Sequence, residues 1–579
     1  MKRKVLALVL AFACTAASLT GCGNANEKER KPSEREEKSS QVQESTKADA
    51  QTETGTGTEE FDPRSVCEGV KLTIAMPDNV RVEDYETNLM TVEAEEALGL
   101  DIEFMVIPSA DYSTKLNLMI NSGETLPDIM VGPNVLAWSS DGVIIPLDEY
   151  YEKPELCPNI TRFIEEEGVD VVSLIRQVDG HVYGNPWYSG AVGGVWEKLW
   201  VYEPWLKAIG KDVPQTTEEF YEVCKLIAAT DLNGNGKKDE IALLGASSNP
   251  SNRKWTYGWF AMLMSPYVYA YDTRYLVADN GNLKFAFETE EWKEGLKYIK
   301  KFFDDGLIPA EALLYNEDQV DALNYAEEQV VFSFVNNQYR GSNLERGDGF
   351  VAITALEGPS GLKQSSYMIN SAGTGAAISA DCKNPEAAFI LLDYWSGEKY
   401  GIMQRFGEEG VNWDYWENAR VEDRSAYRTN ASGYDFSIYT YDDAGYWRGE
   451  TPQNASFMQT GFLLRADDIV GGWAKEKDAG TPELVLSLSI ETKRYAAEAE
   501  ALTLQPEEAV ERLLLSVDEE KNIGESWTDL LGYVEEMKAA FLTGEKDIDA
   551  EWDGYLSELK AIGSEEILKV YQTGYDRTK

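Results

Sequence analysis

Strand and helix patterns alternate between residues 70 and 132, and this alternation is the strongest constraint on the fold. Three stretches with strand character are separated by two whose apolar residues recur at helical spacing: "VKLTIAMPDN", "VEDYETNLMTVEAEEALGL", "DIEFMVIP", "ADYSTKLNLMINSGE" and "LPDIMVG". Crossover helices between buried strands predict an α/β fold with a doubly wound parallel sheet, whose ligands bind beyond the carboxyl ends of the strands. The loops at Asp78, Pro108 and 132–134 are therefore predicted to face a cleft.

The amino terminus has the pattern of a bacterial secretion signal. A basic start, Lys2-Arg3-Lys4, precedes an apolar run from Val5 to Leu19 that is short for a bilayer span. The run ends in "LTGC", which resembles a lipobox and implies cleavage of residues 1–21 and lipidation of Cys22. The alternative is an ordinary signal peptide followed by an accidental cysteine.

Residues 22–68 are predicted to form a disordered tether. The segment from 23 to 60 is rich in Glu, Lys, Ser and Thr and has no apolar periodicity, so it cannot bury enough surface to offset its ordering entropy. The chain beyond it exceeds the size at which a single core stops growing, and at least two lobes are expected. The tether is expected to hold the folded part clear of the lipid headgroups.

The composition excludes several classes of function. A net charge of −48 disfavours nucleic acids and anionic membranes, and it favours a neutral ligand. The single histidine, His181, excludes a histidine-rich metal centre and disfavours Ser-His-Asp or Cys-His catalysis. The widely spaced cysteines after Cys22 contain no CxxC motif. The 15 Trp and 31 Tyr residues favour a groove lined with aromatic rings.

The decapeptide "DLNGNGKKDE", residues 231–240, concentrates oxygen-bearing side chains around two glycines. Its first seven residues follow the spacing of an EF-hand loop, but position 12 of that loop is Ala242 instead of glutamate. The predicted calcium ligands, taken together, are Asp231, Asn233, Asn235, the Lys237 carbonyl, Asp239 and Glu240. The alternative is an Asn-Gly turn with solvated acids. A bound calcium ion would have a structural role.

Several segments, in this order, resemble the family 1 extracellular solute-binding proteins of bacterial ABC importers, particularly the large lipoprotein branch that includes alginate-binding proteins. The matching pieces are "YETNLMTVEAEEALGLDIEF", "LPDIMVG", "VYGNPW", "PQTTEEFYEV" with "DLNGNGKKDEIAL", "GLKYIKKFFDDGLI", "KNPEAAFILLDYWSGEKYG", "FGEEGVNW", "AAFLTGEKDIDAEWDGYLSELKAIG" and "TGYDR". The resemblance covers about residue 70 to the carboxyl terminus. It implies two α/β lobes that are joined by two or more crossings and close on a saccharide. It also implies a shortened calcium loop in the distal lobe.

The predicted lobes are discontinuous in sequence. Residues 69–185 and 330–383 are assigned to the amino-terminal lobe. Residues 186–329 and 384–579 are assigned to the carboxyl-terminal lobe, which includes the calcium-like loop and an additional α-helical region.

A saccharide site is expected to pair flat aromatic rings with side chains that donate and accept hydrogen bonds. The candidates on predicted loops are Asp78, Asn134, Trp187, Tyr188, Trp255, Trp259, Tyr339, Arg340, Trp413, Trp447 and Arg448. For each aromatic residue taken singly, the pattern favours packing in the core or on a lobe surface, whereas tryptophans beside Gly and Asn in loops, taken as a set, favour ligand stacking.

We therefore expect a substrate-binding lipoprotein, not an enzyme, that captures an oligosaccharide. It would act as a monomer on the outer face of the bacterial cytoplasmic membrane and deliver its ligand to an ABC permease with an ATPase. Two alternatives remain open at this point. One is a surface glycosidase, which needs two suitably spaced carboxyl groups. The other is a peptide-binding or sensory lipoprotein on the same fold.

Overall fold

A computed structural model describes residues 61–79, 82–189, 197–245, 258–315, 317–339, 343–366, 371–420, 437–441, 464–465, 473–475, 482–510 and 512–579. The strands are β1 Lys71–Pro77, β2 Asp101–Ile107, β3 Ile129–Val131, β4 Asn185–Ser189, β5 Lys198–Tyr202, β6 Leu276–Asp279, β7 Asn282–Phe285, β8 Ser333–Asn336, β9 Phe350–Ile353, β10 Ser371–Ile378, β11 Trp413–Tyr415, β12 Ile438–Thr440, β13 Leu464–Arg465 and β14 Trp473–Lys475.

The helices run from near the start of the described region to its end. They are α1 Arg64–Cys67, α2 Leu89–Leu98, α3 Tyr112–Ser122, α4 Val135–Ser140, α5 Asp148–Tyr151, α6 Pro158–Glu167, α7 Val171–Leu174, α8 Glu203–Ala208, α9 Thr217–Ala228, α10 Trp259–Met264, α11 Glu290–Asp304, α12 Glu317–Asn324, α13 Leu344–Asp348, α14 Pro385–Trp395, α15 Glu398–Phe406, α16 Pro482–Leu502, α17 Val517–Thr543, α18 Ile548–Ile562 and α19 Ser564–Asp576.

A six-stranded sheet with the order β13-β4-β10-β3-β1-β2 organises the first part of the chain. The β1 strand pairs in parallel with β2 and with β3, as the alternating pattern predicts. The β10 strand lies between β3 and β4 and is antiparallel to both. The mixed α/β class is confirmed. The antiparallel insertion could not be predicted, because it comes from a distant segment.

Local sequence explains where the principal helices begin and end. Helix α2 ends at Gly99, which adopts a left-handed conformation (φ 74°) that glycine tolerates best. Helix α9 begins with a capping box in which Thr216 and Glu219 exchange hydrogen bonds. The β6–β7 hairpin turns through Asn280 and Gly281, both with positive φ.

Two large apolar cores form around different sheets. The first covers both faces of the six-stranded sheet and includes helix α14, which is almost entirely buried. The second surrounds the three-stranded sheet β8-β5-β9 and includes residues of helices α9, α11 and α17 to α19. The described chain passes between these cores three times, after β4, after β9 and after β13.

The cores divide the chain differently from the predicted lobe boundaries. Strands β8 and β9 both pair with β5, so the first part of the 330–383 segment belongs to the second core. Helix α14 packs in the first core, where Trp395 Nε1 donates to the Met90 carbonyl at 3.2 Å. Hydrophobic periodicity shows that these elements are buried, but it does not show which sheet covers them.

Contacts between the two cores involve main-chain acceptors. Arg512 lies shortly before α17. Its guanidinium donates to the carbonyls of Leu174 and Arg176, at and just beyond the end of α7. Helix α17 also meets α4, which follows β3. Within the described residues, no helix combines the length and the apolar composition that a bilayer span requires.

A buried carboxyl group holds helix α6 against α14. Asp393 is 2% exposed and accepts hydrogen bonds from the Ile160 amide at 2.9 Å and the Asn159 side chain at 3.0 Å. Burial raises its pKa to about 6, although these hydrogen bonds oppose the shift. The carboxyl group therefore caps the first turn of α6 from a neighbouring helix.

We expect Asp393→Asn to flatten the pH dependence of stability between about pH 4 and 6. The folded-state pKa lies above the ordinary value of 3.8, so the folded state retains a proton that the unfolded state releases. This contribution is complete below about pH 4 and is lost as the pH rises through about 6. At 1.36 kcal/mol per pKa unit, it is worth at most about 3 kcal/mol.

Urea denaturation at several pH values measures this effect. The exposed Asp553→Asn provides a control that should keep the wild-type slope. Equal slopes for Asp393→Asn and the wild type between pH 4 and 6 would contradict the prediction.

Candidate functional site

The carboxyl ends of four parallel strands meet at one edge of the six-stranded sheet. Strands β1, β2, β3 and β4 run in the same direction, because β10 is antiparallel to both β3 and β4. Asp78 follows β1, Ser109 comes shortly after β2, and Asn134 comes shortly after β3. This edge is where an α/β sheet binds ligands, and it brings together polar residues from separate parts of the chain.

Asp78 and Asn134 are exposed at this edge, and each also orders its own loop. The Asp78 carboxylate accepts hydrogen bonds from the Ser109 amide and hydroxyl, both at 2.6 Å, which join the loops after β1 and β2. These hydrogen bonds lower the pKa of Asp78. Asn134 caps α4 by accepting from the Ala137 amide at 3.3 Å. Ser109 was not among the predicted site residues, although it stands next to the predicted loop residue Pro108.

Trp187 and Tyr188 occupy opposite faces of β4, because side chains alternate along a strand. Tyr188 is 6% exposed and packs edge-on against Phe163, with ring centroids 5.7 Å apart. Its ring belongs to the first core and offers little surface to a ligand. Trp187 is only half-buried and lies on the other face, near the carboxyl end of the strand.

Two predicted stacking residues are fully buried. Trp259 is 0% exposed in the second core, where it contacts Phe260 and Phe303. Trp413 is also 0% exposed, and its Nε1 donates to the Gly407 carbonyl at 2.7 Å. The loop-like glycines and asparagines beside these tryptophans suggested exposure, but burial leaves neither ring a free face. We do not retain either residue as a sugar-stacking candidate.

Of the remaining residues predicted for the sugar site, Tyr339 lies in the described part of the chain. Tyr339 is half-buried against Phe334 and Phe350, and its hydroxyl donates to the Asn343 carbonyl at 3.1 Å. It therefore supports the second core. Five predicted residues lie outside the described residues: Cys22, Trp255, Arg340, Trp447 and Arg448.

The decapeptide forms a compact loop closed by its own carboxylates. The two Asp231 carboxylate oxygens accept from the amides of Gly234 and Gly236, each at 2.9 Å. Glu240 Oε1 accepts from the amides of Leu232 and Asn233 at 2.6 and 3.1 Å. Both glycines have positive φ, 76° and 83°, which the tight path of the loop requires.

One atom of this loop lacks a hydrogen-bond partner. Glu240 is 6% exposed, and its Oε2 is buried without a hydrogen bond in the part of the chain that the structure describes. An unpartnered buried carboxylate oxygen is costly, and a hard cation would compensate it. The amide oxygens of Asn233 and Asn235 and the Asp239 carboxylate stand in the same loop.

The oxygen donors of the loop are of the types that calcium accepts, but its carboxylates do not form one cluster. No group of three or more Asp, Glu, His or Cys side chains within the described residues is arranged to hold a metal. Calcium, however, accepts amide and main-chain carbonyl oxygens as well as carboxylates. The residues therefore fit the ion in type and number.

A buried ion pair lies where the chain enters the second core after β4. Lys198 is fully buried, and its Nζ lies 2.9 Å from Glu498 Oε1 and donates to the Asn337 carbonyl at 3.0 Å. Burial lowers the pKa of Lys198, while Glu498 opposes this shift. The pair joins β5 to α16, next to the predicted site loop that contains Tyr339. Charged residues this far apart in sequence gave no signal of pairing.

A family described as bacterial extracellular solute-binding protein matches residues 90–403. This range includes Asn134 and Trp187 of the sheet edge and the decapeptide loop, whereas Asp78, β1 and helices α17 to α19 lie outside it.

The fructooligosaccharide ABC transporter substrate-binding protein FusA of Streptococcus pneumoniae is 24% identical over 519 residues, which cover 85% of this chain and 88% of FusA. The FusA EF-hand mutant in complex with fructo-nystose has a TM-score of 0.64 at 22% identity, covering 88% of this chain and 99% of that one.

Two further structures share the fold. An HMO-binding, ABC-transporter-associated solute-binding protein from Bifidobacterium longum infantis has a TM-score of 0.70 at 18% identity, and the comparison covers 88% of this chain and 99% of that one. The alginate-binding protein AlgQ2 without calcium ion has a TM-score of 0.59 at 18% identity, with 88% and 98% covered.

Proposed function

Since this chain belongs to the family of bacterial extracellular solute-binding proteins, we propose that it captures an oligosaccharide and delivers it to an ABC importer. The observation that carries this proposal is the sheet edge, where exposed Asp78 and Asn134 share the carboxyl ends of parallel strands with half-buried Trp187. Polar groups beside an aromatic ring match the hydroxyls and the C–H face of a sugar. The names of FusA and the HMO-binding protein support the same ligand class.

We extend the proposal to the remaining features of such a protein. The chain would bind its ligand without breaking a bond, as a monomer held by a lipidated Cys22 on the outer face of the cytoplasmic membrane. A separate permease with an ATPase would carry out transport. The excess of negative charge supports a neutral saccharide over an anionic one.

The loop from Asp231 to Glu240 would hold calcium in a structural role. Asp231, Asn233, Asn235, the Lys237 carbonyl, Asp239 and Glu240 would supply the oxygens. The unpartnered Glu240 Oε2 supports this assignment. The loop lies beside the second core, where Ile241 and Val331 form a bridge, so the ion would stabilise that region.

Titration with a panel of neutral oligosaccharides tests the proposed function. We expect one panel member, with kestose, nystose and human milk oligosaccharides as the first probes, to bind one per monomer by calorimetry. Trp187→Ala should weaken this binding about tenfold or more, since a stacked ring commonly contributes over 1 kcal/mol. Tyr325→Ala removes a 47%-exposed ring elsewhere and should bind as the wild type does.

Product analysis after the titration separates binding from the two alternatives. Recovery of intact glycan supports a binding protein, whereas shortened chains would indicate a glycosidase. Binding of peptides with no glycan bound would indicate the peptide or sensory alternative. A panel without any calorimetric signal or thermal stabilisation would contradict oligosaccharide capture.

A further inference from the structure

Strand β10 contains a glycine that the backbone conformation does not require. Gly373 lies inside the strand, and its φ is outside the left-handed region. Glycine in a strand interior weakens the strand and often marks a place where a ligand or another chain approaches.

Packing within the sheet does not require this glycine either. No heavy atom of the described residues lies within 4 Å of the position that a Cβ would take at Gly373. Gly184, just before β4, is a useful contrast. A Cβ there would lie 2.1 Å from the Ala376 carbonyl oxygen and 2.5 Å from Thr374 Cγ2. Gly184 is needed for close strand approach, whereas no such contact among the described residues requires Gly373.

Trp187 stands directly opposite Gly373 on the neighbouring strand. Residues opposite each other in an antiparallel pair have Cβ atoms about 5 Å apart, so an indole often folds across a facing glycine. No described atom, and so no atom of the Trp187 ring, lies within 4 Å of the Cβ position at Gly373. The ring and the bare backbone therefore form two sides of a slot.

The register that creates this slot is set by Asn185. Its side-chain oxygen accepts from the Ala376 amide at 2.8 Å, and the strand pairing shifts between Thr374 and Ala376. Such a bulge re-aims the side chains that follow it. Asn185 is fully buried, so the arrangement is held by the interior of the sheet.

We infer that the slot between Trp187 and Gly373 receives one neutral sugar ring, and that Gly373 determines which rings fit. This inference rests on the proposed function. The apolar C–H face of the ring would lie against the indole, and the missing side chain at Gly373 would leave room for its thickness. Gly373 is therefore a specificity-determining residue, although it has no side chain to contact the ligand.

Filling the slot tests the inference. Affinity for the best-binding glycan of the panel is measured by calorimetry for the wild type, Gly373→Ala, Gly373→Leu and Trp187→Ala. We expect Gly373→Leu to lose at least tenfold in affinity, while Gly373→Ala stays within about threefold because a methyl group occupies little of the space. The double variant Trp187→Ala with Gly373→Leu should lose less than the product of the single losses, because both changes act on the same slot.

A leucine introduced at a second glycine is the control for effects on folding. Gly554→Leu on α18 also adds a side chain where no described atom lies within 4 Å of the Cβ position, and it should keep the wild-type affinity. Thermal midpoints should be unchanged in Gly373→Leu. If the wild type binds and Gly373→Leu binds equally well, the slot assignment is wrong and the proposed function stands. If the wild type binds no glycan, the proposed function itself fails, and the slot assignment fails with it.

Discussion

Replacing Lys198 with methionine is expected to lower the free energy of unfolding by about 3–5 kcal/mol, because the change leaves the buried Glu498 carboxylate without its charge partner. Lys198 is 0% exposed and Glu498 is 7% exposed, so water cannot take the place of the missing ammonium group. Arg494 Nη1 lies 3.7 Å from the same carboxylate oxygen and compensates only partly. Because the unfolding entropy of so long a chain is large, a loss of this size should lower the thermal midpoint by roughly 3–5 °C.

The double replacement of Lys198 and Glu498 by methionine and glutamine should recover much of this loss. It removes both charges from the interior, and replacing a whole buried pair is often nearly neutral. Lys207→Met is the matched control, since Lys207 is 69% exposed and pairs with Glu203 on the surface of α8. Such a pair contributes at most about 1 kcal/mol. A Lys198→Met variant as stable as Lys207→Met would contradict the buried pair.

Calcium is expected to raise the thermal midpoint of the wild type by roughly 2–3 °C, and Glu240→Gln is expected to abolish this increase. A ligand present at a hundredfold excess over its Kd stabilises the folded state by about 2.7 kcal/mol. The glutamine keeps an oxygen that can accept from Leu232 and Asn233, but it removes the negative charge beside the proposed ion. Scanning calorimetry with added calcium, and again with excess chelator, measures the difference.

The chelated state provides a second readout for the same variant. Without calcium, Glu240→Gln should be at least as stable as the wild type, because a buried amide costs less than a buried carboxylate with an unpartnered oxygen. Glu222→Gln, on the preceding helix α9, should respond to calcium as the wild type does. A wild-type midpoint that is identical with calcium and with chelator would refute the metal loop.

Elements that depend on neighbouring residues follow from the sequence, whereas arrangements between distant residues do not. The alternation between residues 70 and 132 predicted β1, α2, β2, α3 and β3, because side-chain periodicity is a local property. The capping box at Thr216 follows from four neighbouring residues. The assignment of 330–383 to the first lobe, by contrast, differs from the structure, in which β8 and β9 pair with β5 more than 100 residues away in sequence.

The aromatic residues show the same division. Trp187, Tyr188, Trp259 and Trp413 all stand beside turn-forming residues in the sequence, and nothing local separates them. In the structure, Trp259 and Trp413 are fully buried, Tyr188 packs on Phe163, and only Trp187 remains partly open at the sheet edge. Burial depends on the elements that cover a ring, and those elements come from distant parts of the chain.

The amino-acid sequence by itself determined the α/β class, the ends of the main helices and the oxygen-rich chemistry of the loop from Asp231 to Glu240, because each depends on residue types a few positions apart. Only the tertiary structure decided that β10 enters the sheet antiparallel, that Gly373 stands opposite Trp187, and that Lys198 meets Glu498. These arrangements arise when the burial of apolar surface brings distant segments together, and no local pattern in the chain specifies the partners that result.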